Sequence, residues 1–178
     1  MTSKIIGSGN CIPSLKITNS HFNNHIFLDI NGSVLKDNNQ IIQKKLQLIT
    51  GISERKYANN SQVSSDLGFI AAQKAIEDAQ IDPESLDYII FAHNFGDVHY
   101  SSNQMDCVPS LAARVKNRLK IKNNFCVAYD LLFGCPGWIE AFIQANSFIK
   151  SGLAKRCLVI GAETLSRVVD EHDRDTMI

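Results

Sequence analysis

The chain carries no excess charge of either sign, since 18 lysines and arginines balance 18 aspartates and glutamates. Nucleic-acid affinity rests on a clustered basic surface, so that class of partner is not expected. Lys116, Arg118, Lys120 and Lys122 come nearest to a basic run, with no aromatic residue between them. They read as the solvated end of a helix and its turn. No uninterrupted apolar stretch nears the roughly 18 residues of a membrane span, and the opening M-T-S-K-I-I-G-S-G-N lacks the apolar segment of a signal peptide. No C-x-x-C pair occurs among the five cysteines, Cys11, Cys107, Cys126, Cys135 and Cys157, which argues against a zinc site of paired thiolates. Free thiols in a reducing cytoplasm are the simplest reading. The triplets Asn31-Gly32-Ser33 and Asn59-Asn60-Ser61 are then accidents of composition. Gly7-Ser8-Gly9 lacks the third glycine of a dinucleotide fingerprint and no helix pattern comes directly after it, so no cofactor is implied.

What is present is ordinary globular material: 178 residues, 44% hydrophobic and 20% charged, enough for one sizeable α/β domain. Lys4–Ser8 reads as an opening strand. Residues 14 to 40, rich in asparagine, read as an irregular excursion with some helix, and Gln40–Thr50 as a helix stopped by Gly51. Ser64–Gln80 places Leu67, Ile70, Ala71, Ala75 and Ala79 near one helical face, with Ser64, Ser65 and Asp66 as candidate caps. Tyr88–Ala92 is a short apolar run, as a strand buried on both faces should be. Asp106–Lys120 reads as a helix, Asn124–Ala128 as a strand, Pro136 to about Ser151 as a helix, and Arg156–Ala162 as a strand. Strands alternating with helices imply right-handed crossovers and a largely parallel sheet covered by helices. The closing D-E-H-D-R-D-T-M-I carries no sign of a domain end.

Within D-L-L-F-G-C-P-G-W, residues 130 to 138, a cysteine stands between glycines and ahead of a proline. Pro136 suits a first helical turn, where its missing N–H leaves no acceptor unpaired. Cys135 then lies at or beside the N-cap, where free N–H groups and the positive end of the helix dipole favour a thiolate. Glycines on both sides allow close approach of backbone or substrate, and several acyl-transfer enzymes present their attacking atom at such a strand-to-helix turn. An isolated cysteine is also often a small buried hydrophobe. Cys126 and Cys157, inside apparent strands, suit that packing role, and the local pattern leaves both readings open for Cys135.

Resemblance decides between them. The segment around Cys135 resembles the active-site segment of β-ketoacyl-acyl-carrier-protein synthase III and its relatives in the thiolase superfamily. K-I-I-G-S-G at 4 to 9 resembles that family's opening strand, T-G-I-S-E-R-K-Y-A at 50 to 58 its T-G-I-x-x-R segment, and S-D-L-G-F-I-A-A-Q-K-A-I-E-D-A at 65 to 79 its first long helix. K-S-G-L-A-K-R-C-L-V-I-G-A-E-T-L-S-R at 150 to 167 and D-R-D-T at 173 to 176 resemble the family's segments beyond the cysteine helix. The resemblance implies a thiolase-like α/β fold of two similar halves. Residues 1–178 would be the amino-terminal half, ending where the family continues into a glycine-rich F-G-D-G-A-G-A-like strand. A half without its partner layer should expose apolar surface and associate.

The implied chemistry is acyl transfer. Cys135 would take an acyl group from a thioester, malonyl-acyl-carrier protein would be decarboxylated, and the resulting carbanion would attack the acyl-enzyme. The Cys135 backbone N–H would be one oxyanion donor. The family's histidine and asparagine belong to the other half; His21, His25, His93, His99 and His172 match neither and read as surface or turn residues. Thr50 and Arg167 would contact substrate, Arg167 at the nucleotide end of coenzyme A. Lys45 stands where relatives often carry an adenine-stacking tryptophan, and Ile49 where they carry an arginine. These changes favour weaker nucleotide recognition and an acyl-carrier-protein donor or a specialised acyl chain. Phe133 and Trp138 either narrow the acyl pocket or belong to the core. The connection Asn94–Asp106 would help close a partner subunit's pocket in a homodimer, or be a plain exposed loop. Two other functions fit the same pattern: a thiolase or hydroxymethylglutaryl-coenzyme A synthase relative, and a non-catalytic assembly half-subunit.

Overall fold

Three parallel strands carry the main body of the protein. In the computed structural model, which describes residues 3–36, 38–102 and 104–174, β3 (Tyr88–His93) lies between β6 (Val127–Leu132) and β7 (Cys157–Gly161). Tyr88 pairs with Val127 on one side and with Cys157 on the other. Ile89, Ile90 and Phe91 are fully buried, as the apolar run predicts for a central strand covered on both faces. Helices α2 (Ser64–Ala79) and α3 (Leu111–Arg118) cover one face, where Ala72, Ile76, Phe91, Leu111, Val115 and Ile160 form one core. Helix α4 (Gly137–Lys150) covers the other, with Ala141 and Ala145 against Ile90 and Ala92.

The chain folds as two compact units, one running to Ile12 and resuming over Asn60–Thr164, the other formed by Pro13–Asn59 and the chain from Leu165. The second unit holds an antiparallel pair, β1 (Leu15–Thr18) with β2 (Glu54–Tyr57), and helix α1 (Asn39–Thr50). Phe22, Phe27 and Ile42 make its small core. Gly51 closes α1 in the left-handed region at φ 70°, as the sequence leads one to expect.

Several elements differ from the sequence reading. Residues 4 to 8 join no strand ladder among the described residues. Helix α3 starts five residues later than the pattern implies. Asp106 lies in β5 (Met105–Asp106), paired with β4 (Asp97–Val98), and the helix waits for Ser110, whose hydroxyl accepts the Ala113 N–H at 3.1 Å. The strand read at Asn124–Ala128 begins at Val127 instead. Asn123 accepts the Phe125 N–H, and the Lys116 ammonium holds the Asn123 and Cys126 carbonyls, so residues 123 to 126 form a turn. Lys116 and Arg118 are thus structural: Arg118 pairs with Asp66 at 2.5 Å and sits over the Phe69 ring. The antiparallel β1–β2 pair has no forecast in the asparagine-rich region. Residues 175 to 178, including the end of D-R-D-T, lie outside the described residues, as does Asn103 of the 94–106 connection.

Two packing constraints give direct tests. Gly68 lets α2 touch the sheet, because a Cβ there would lie 2.4 Å from the Phe91 ring. Gly68→Ala is expected to destabilise the protein by about 2 kcal/mol in urea unfolding. Asp97, 1% exposed, is bound by the Ser65 N–H, the Ser65 hydroxyl and the Arg114 guanidinium, which also holds Asp106. Arg114→Met leaves that buried carboxylate without its counter-charge and should cost about 3 kcal/mol. Asp106→Asn, at a half-exposed carboxyl, should cost no more than about 1 kcal/mol. The Arg114 hydrogen bond holds Asp106 below the usual carboxylate range. Its contribution is therefore present above the unfolded carboxylate pKa and fades as pH falls through the lowered folded value, which urea midpoints across the acid range would read.

Candidate active site

Strand β6 delivers the chain to the turn that carries Cys135. Its Asp130 accepts the Leu111 and Ala112 N–H groups at 2.7 and 2.8 Å, the first two residues of α3. A carboxylate at a helix N-terminus takes up donors that have no intrahelical acceptor. Asp130 also meets His93 Nε2 at 3.0 Å, with both side chains nearly sealed, at 6% and 0% exposure. The Gly96 N–H donates to His93 Nδ1 at 2.9 Å, so the imidazole proton lies on Nε2 and donates to Asp130. His93 is therefore an interior residue at the end of β3, a correction to its reading as a surface or turn residue. One carboxylate joins β3, β6 and the start of α3. The sequence shows a lone acid inside the apolar run A-Y-D-L-L but not its partner, since Asp130 stands opposite Phe91 in the ladder and reaches His93 two residues further along β3.

Beyond Leu132 the chain turns. The Phe133 N–H donates to the His93 carbonyl, and the Gly137 N–H to the Gly134 carbonyl at 2.8 Å. Pro136 is the N-cap of α4, so Cys135 sits one residue outside the cap, beside it as expected. The Cys135 side chain is exposed and makes no hydrogen bond among the described residues. A Cβ at Gly134 would meet nothing closer than Pro136 Cδ at 3.8 Å, so that side of the turn is open. Gly137, by contrast, is pressed against the Phe133 and Ala92 side chains, 3.1 and 3.4 Å from where its Cβ would lie. Close packing there seats the helix mouth on β3 and faces the cysteine outward.

The other cysteines differ in kind. Burial pushes the Cys157 thiol up to about 11 and raises Cys126 and Cys107 above the ordinary value, so none of the three is a thiolate at neutral pH.

Of the remaining site residues read from the sequence, Phe133 and Trp138 share the first unit with Cys135. Both are about half exposed, and Trp138 packs over Gly161 and lies edge-on to Phe142 at 4.4 Å. Thr50 and Arg167 belong to the second unit. The Thr50 hydroxyl donates to the Leu46 carbonyl and accepts the Ile52 N–H, fastening the end of α1. Arg167, in a short 3-10 turn, donates to the Asn59 carbonyl at 2.7 Å. Lys45 and Ile49 are exposed on α1. No cluster of three or more potential metal ligands occurs among the described residues, and no described helix is long and apolar enough to cross a membrane.

Comparison with known proteins places this geometry. Residues 129–178, which start within β6 and include the cysteine turn, α4 and β7, match the family described as 3-oxoacyl-[acyl-carrier-protein (ACP)] synthase III. Over all 178 residues the chain is 38% identical to β-ketoacyl-[acyl-carrier-protein] synthase III 1 of Vibrio vulnificus, covering 49% of that relative. It is 36% identical to the protein of the same name from Vibrio cholerae, again over 49% of the relative. The crystal structure of 3-oxoacyl-[acyl-carrier-protein] synthase III from Aquifex aeolicus superposes with a TM-score of 0.74 at 36% identity, covering 97% of this chain and 48% of that one. Sequence and fold agree: the chain is similar to β-ketoacyl-acyl-carrier-protein synthase III over its whole length and has a thiolase-type α/β fold, and it spans about half the length of the curated relatives it matches.

Proposed function

We propose that this chain is the nucleophile-bearing, amino-terminal half of a decarboxylative condensing acyltransferase. The observation that carries the reading is the exposed Cys135, unencumbered by hydrogen bonds, at the mouth of α4 within the matched segment 129–178. The Cys135 thiolate attacks the carbonyl carbon of an acyl thioester. A C–S bond to the enzyme forms, the Cys135 backbone N–H supports the oxyanion, and the donor thiolate leaves and takes up a proton. The acyl-enzyme is then ready for the carbanion released from malonyl-acyl-carrier protein. That second step needs groups that stabilise the decarboxylation transition state. Among the described residues none is hydrogen-bonded to Cys135, and His93, buried in the first unit, is already bound at both ring nitrogens. The 178-residue chain alone is acylated and does not condense.

Thr50 and Arg167 are assigned to the donor. Lys45 and Ile49, in place of a stacking tryptophan and a second arginine, support acyl-carrier protein as the donor over coenzyme A. Phe133, two residues before the nucleophile and half exposed, is assigned to the acyl pocket wall. The packing of Trp138 on Gly161 and Phe142 supports a core role for it. The intact enzyme is a cytoplasmic homodimer in this reading. Support for an interface comes from Met105 and Val108, exposed at and just beyond the end of the 94–106 connection.

Intact mass after incubation with acyl-acyl-carrier protein or acyl-coenzyme A tests the first step. A single acyl adduct is expected, absent from Cys135→Ser, with no carbon dioxide released from malonyl-acyl-carrier protein. An unmodified chain would rule out the acyl-enzyme and leave the assembly role. Iodoacetamide at neutral pH is expected to label Cys135 first and to spare Cys157 and Cys126 until the protein unfolds. Peptide mapping reads that order.

A further inference from the structure

Positive charge is unevenly placed along this balanced chain. Residues 13–59, most of the second unit, carry six lysines and arginines against three acids. Of those acids, Glu54 is taken by Lys16 and Lys56, and Asp29 accepts the Asn31 and Ser33 N–H groups of its own loop. Helix α1 contains no acid at all, and its two cations are the neighbours Lys44 and Lys45. Both are exposed, with no ion pair or hydrogen bond among the described residues.

One face of α1 is already used. Ile42 is buried with Phe22 and Phe27, Leu46 packs against that core, and the Asn39 amide donates to the Phe22, Asn23 and His25 carbonyls. A helix turns about 100° per residue, which sets Ile41, Lys44, Lys45 and Leu48 on the opposite face, with Ile49 at its border. Ile41 is 53% exposed, Leu48 86% and Ile49 79%. A helix needs one apolar stripe to attach it to a fold, and α1 has two. Isolated exposed apolar side chains are ordinary. Three gathered around two lysines, within about two turns of one helix, make a contact surface.

An apolar strip with cations set in it matches a helix whose apolar side chains lie between carboxylates. The apolar groups then meet at the centre, and the ammonium groups reach carboxylates at the rim. A second copy would bring Lys44 and Lys45 against their own counterparts. A nucleotide would find on this face neither an aromatic ring to stack on nor an arginine fork. We propose that the outer face of α1 docks the acyl-carrier protein that brings the thioester, through an acidic helix of that carrier. Ile41 and Leu48 supply the apolar contact, and Lys44 and Lys45 fix the sign of the partner. The proposal rests on the reading of this chain as part of a condensing enzyme, but it concerns docking and not the attack by Cys135.

The test is an NMR titration of the isotope-labelled chain with holo-acyl-carrier protein of Vibrio vulnificus, using Cys135→Ser so that no acyl transfer contributes. The amide signals of Ile41, Lys44, Lys45 and Leu48 should shift and saturate. Joint Lys44→Glu and Lys45→Glu should weaken binding at least about 10-fold, and Leu48→Ser about 5-fold. Rising salt should weaken it too. Lys122→Glu, at an exposed lysine of the first unit, should leave affinity unchanged. Shifts that miss α1, or an equal loss on Lys122→Glu, would overturn the proposal. So would α1 shifts produced by coenzyme A or by phosphatidylglycerol vesicles but not by the carrier, or α1 signals that move with the chain's own concentration. Shielding of α1 from the carrier by the half of the Vibrio vulnificus relative that this chain does not match would overturn it equally. Docking on α1 with the wild-type chain never acylated would uphold the surface and defeat the catalytic reading. Acylation of Cys135 by acyl-acyl-carrier protein with α1 undisturbed would do the reverse.

Discussion

The buried carboxylate of Asp130 is the constraint on which the geometry of the first unit turns. A carboxylate taken out of water must be met by donors or the fold loses several kcal/mol. Here the donors come from three places: two backbone N–H groups opening α3 and the imidazole closing β3. Because His93 is itself fixed by the Gly96 N–H, the arrangement leaves β6 little freedom at its carboxyl end. Cys135 lies five residues beyond Asp130, across a turn whose first N–H, from Phe133, bonds to the end of β3. A side chain on an exposed turn gains its precision from what anchors the turn. The anchor here is polar, interior and remote from the sulfur.

A second constraint is steric. Gly137 and Gly161 sit where α4 crosses the sheet, the first against Ala92 and Phe133 and the second beneath the Trp138 ring. Gly68 plays the same part for α2 over Phe91. Small residues at these crossings bring each helix close to the sheet: on the α2–α3 face twelve buried residues form one continuous core around Phe91, and on the other face Ala141 and Ala145 of α4 pack on Ile90 and Ala92. The unusual G-C-P-G run therefore has two separate jobs. Gly134 keeps the approach to the thiol clear, and Gly137 seats the helix.

Much of this was legible in the sequence, for reasons that particular residues make plain. The run Y-I-I-F-A has no polar residue to place on a solvated face, so a central parallel strand is nearly forced. The periodicity of 64–80 and the glycine at 51 mark helix limits that the structure reproduces within a residue. The misses share a cause. Asp106–Lys120 has helical spacing throughout, but Pro109 and Ser110 reset the start, and a cap outranks a weak apolar period. Residues 124–128 look like a strand because Phe125 and Val127 are apolar, yet Phe125 is 91% exposed and the turn is set by Asn123 and Lys116. The role of His93 depends on a partner 37 residues away, and spacing within one element carries no trace of it. The assignment of Thr50 and Arg167 rests on resemblance alone, since in the structure their polar groups bond to backbone in the second unit.

A strand becomes interior when both of its edges are paired and both of its faces covered. By that measure β3 is interior, and β7 is only three-quarters so: helices cover it on both faces, β3 takes one edge, and the other edge opens on a cavity. The same incompleteness shows on α4, where Ile139 and Ile143 stay exposed although the helix is otherwise a core element. Single exposed apolar side chains are common on any protein. An exposed helix stripe on the same unit as a roofed strand edge unpaired among the described residues is a different matter, because unmet backbone hydrogen bonding and unburied apolar area then occur together. On the proposed reading, half of a two-part enzyme should look like this. Its own core is closed around Phe91, so it holds the cysteine turn in place, while the surfaces that a second half would cover are left unfinished. On the proposed reading, the catalytic parts are divided along the same line as the packing, with Cys135 on the side that is already built.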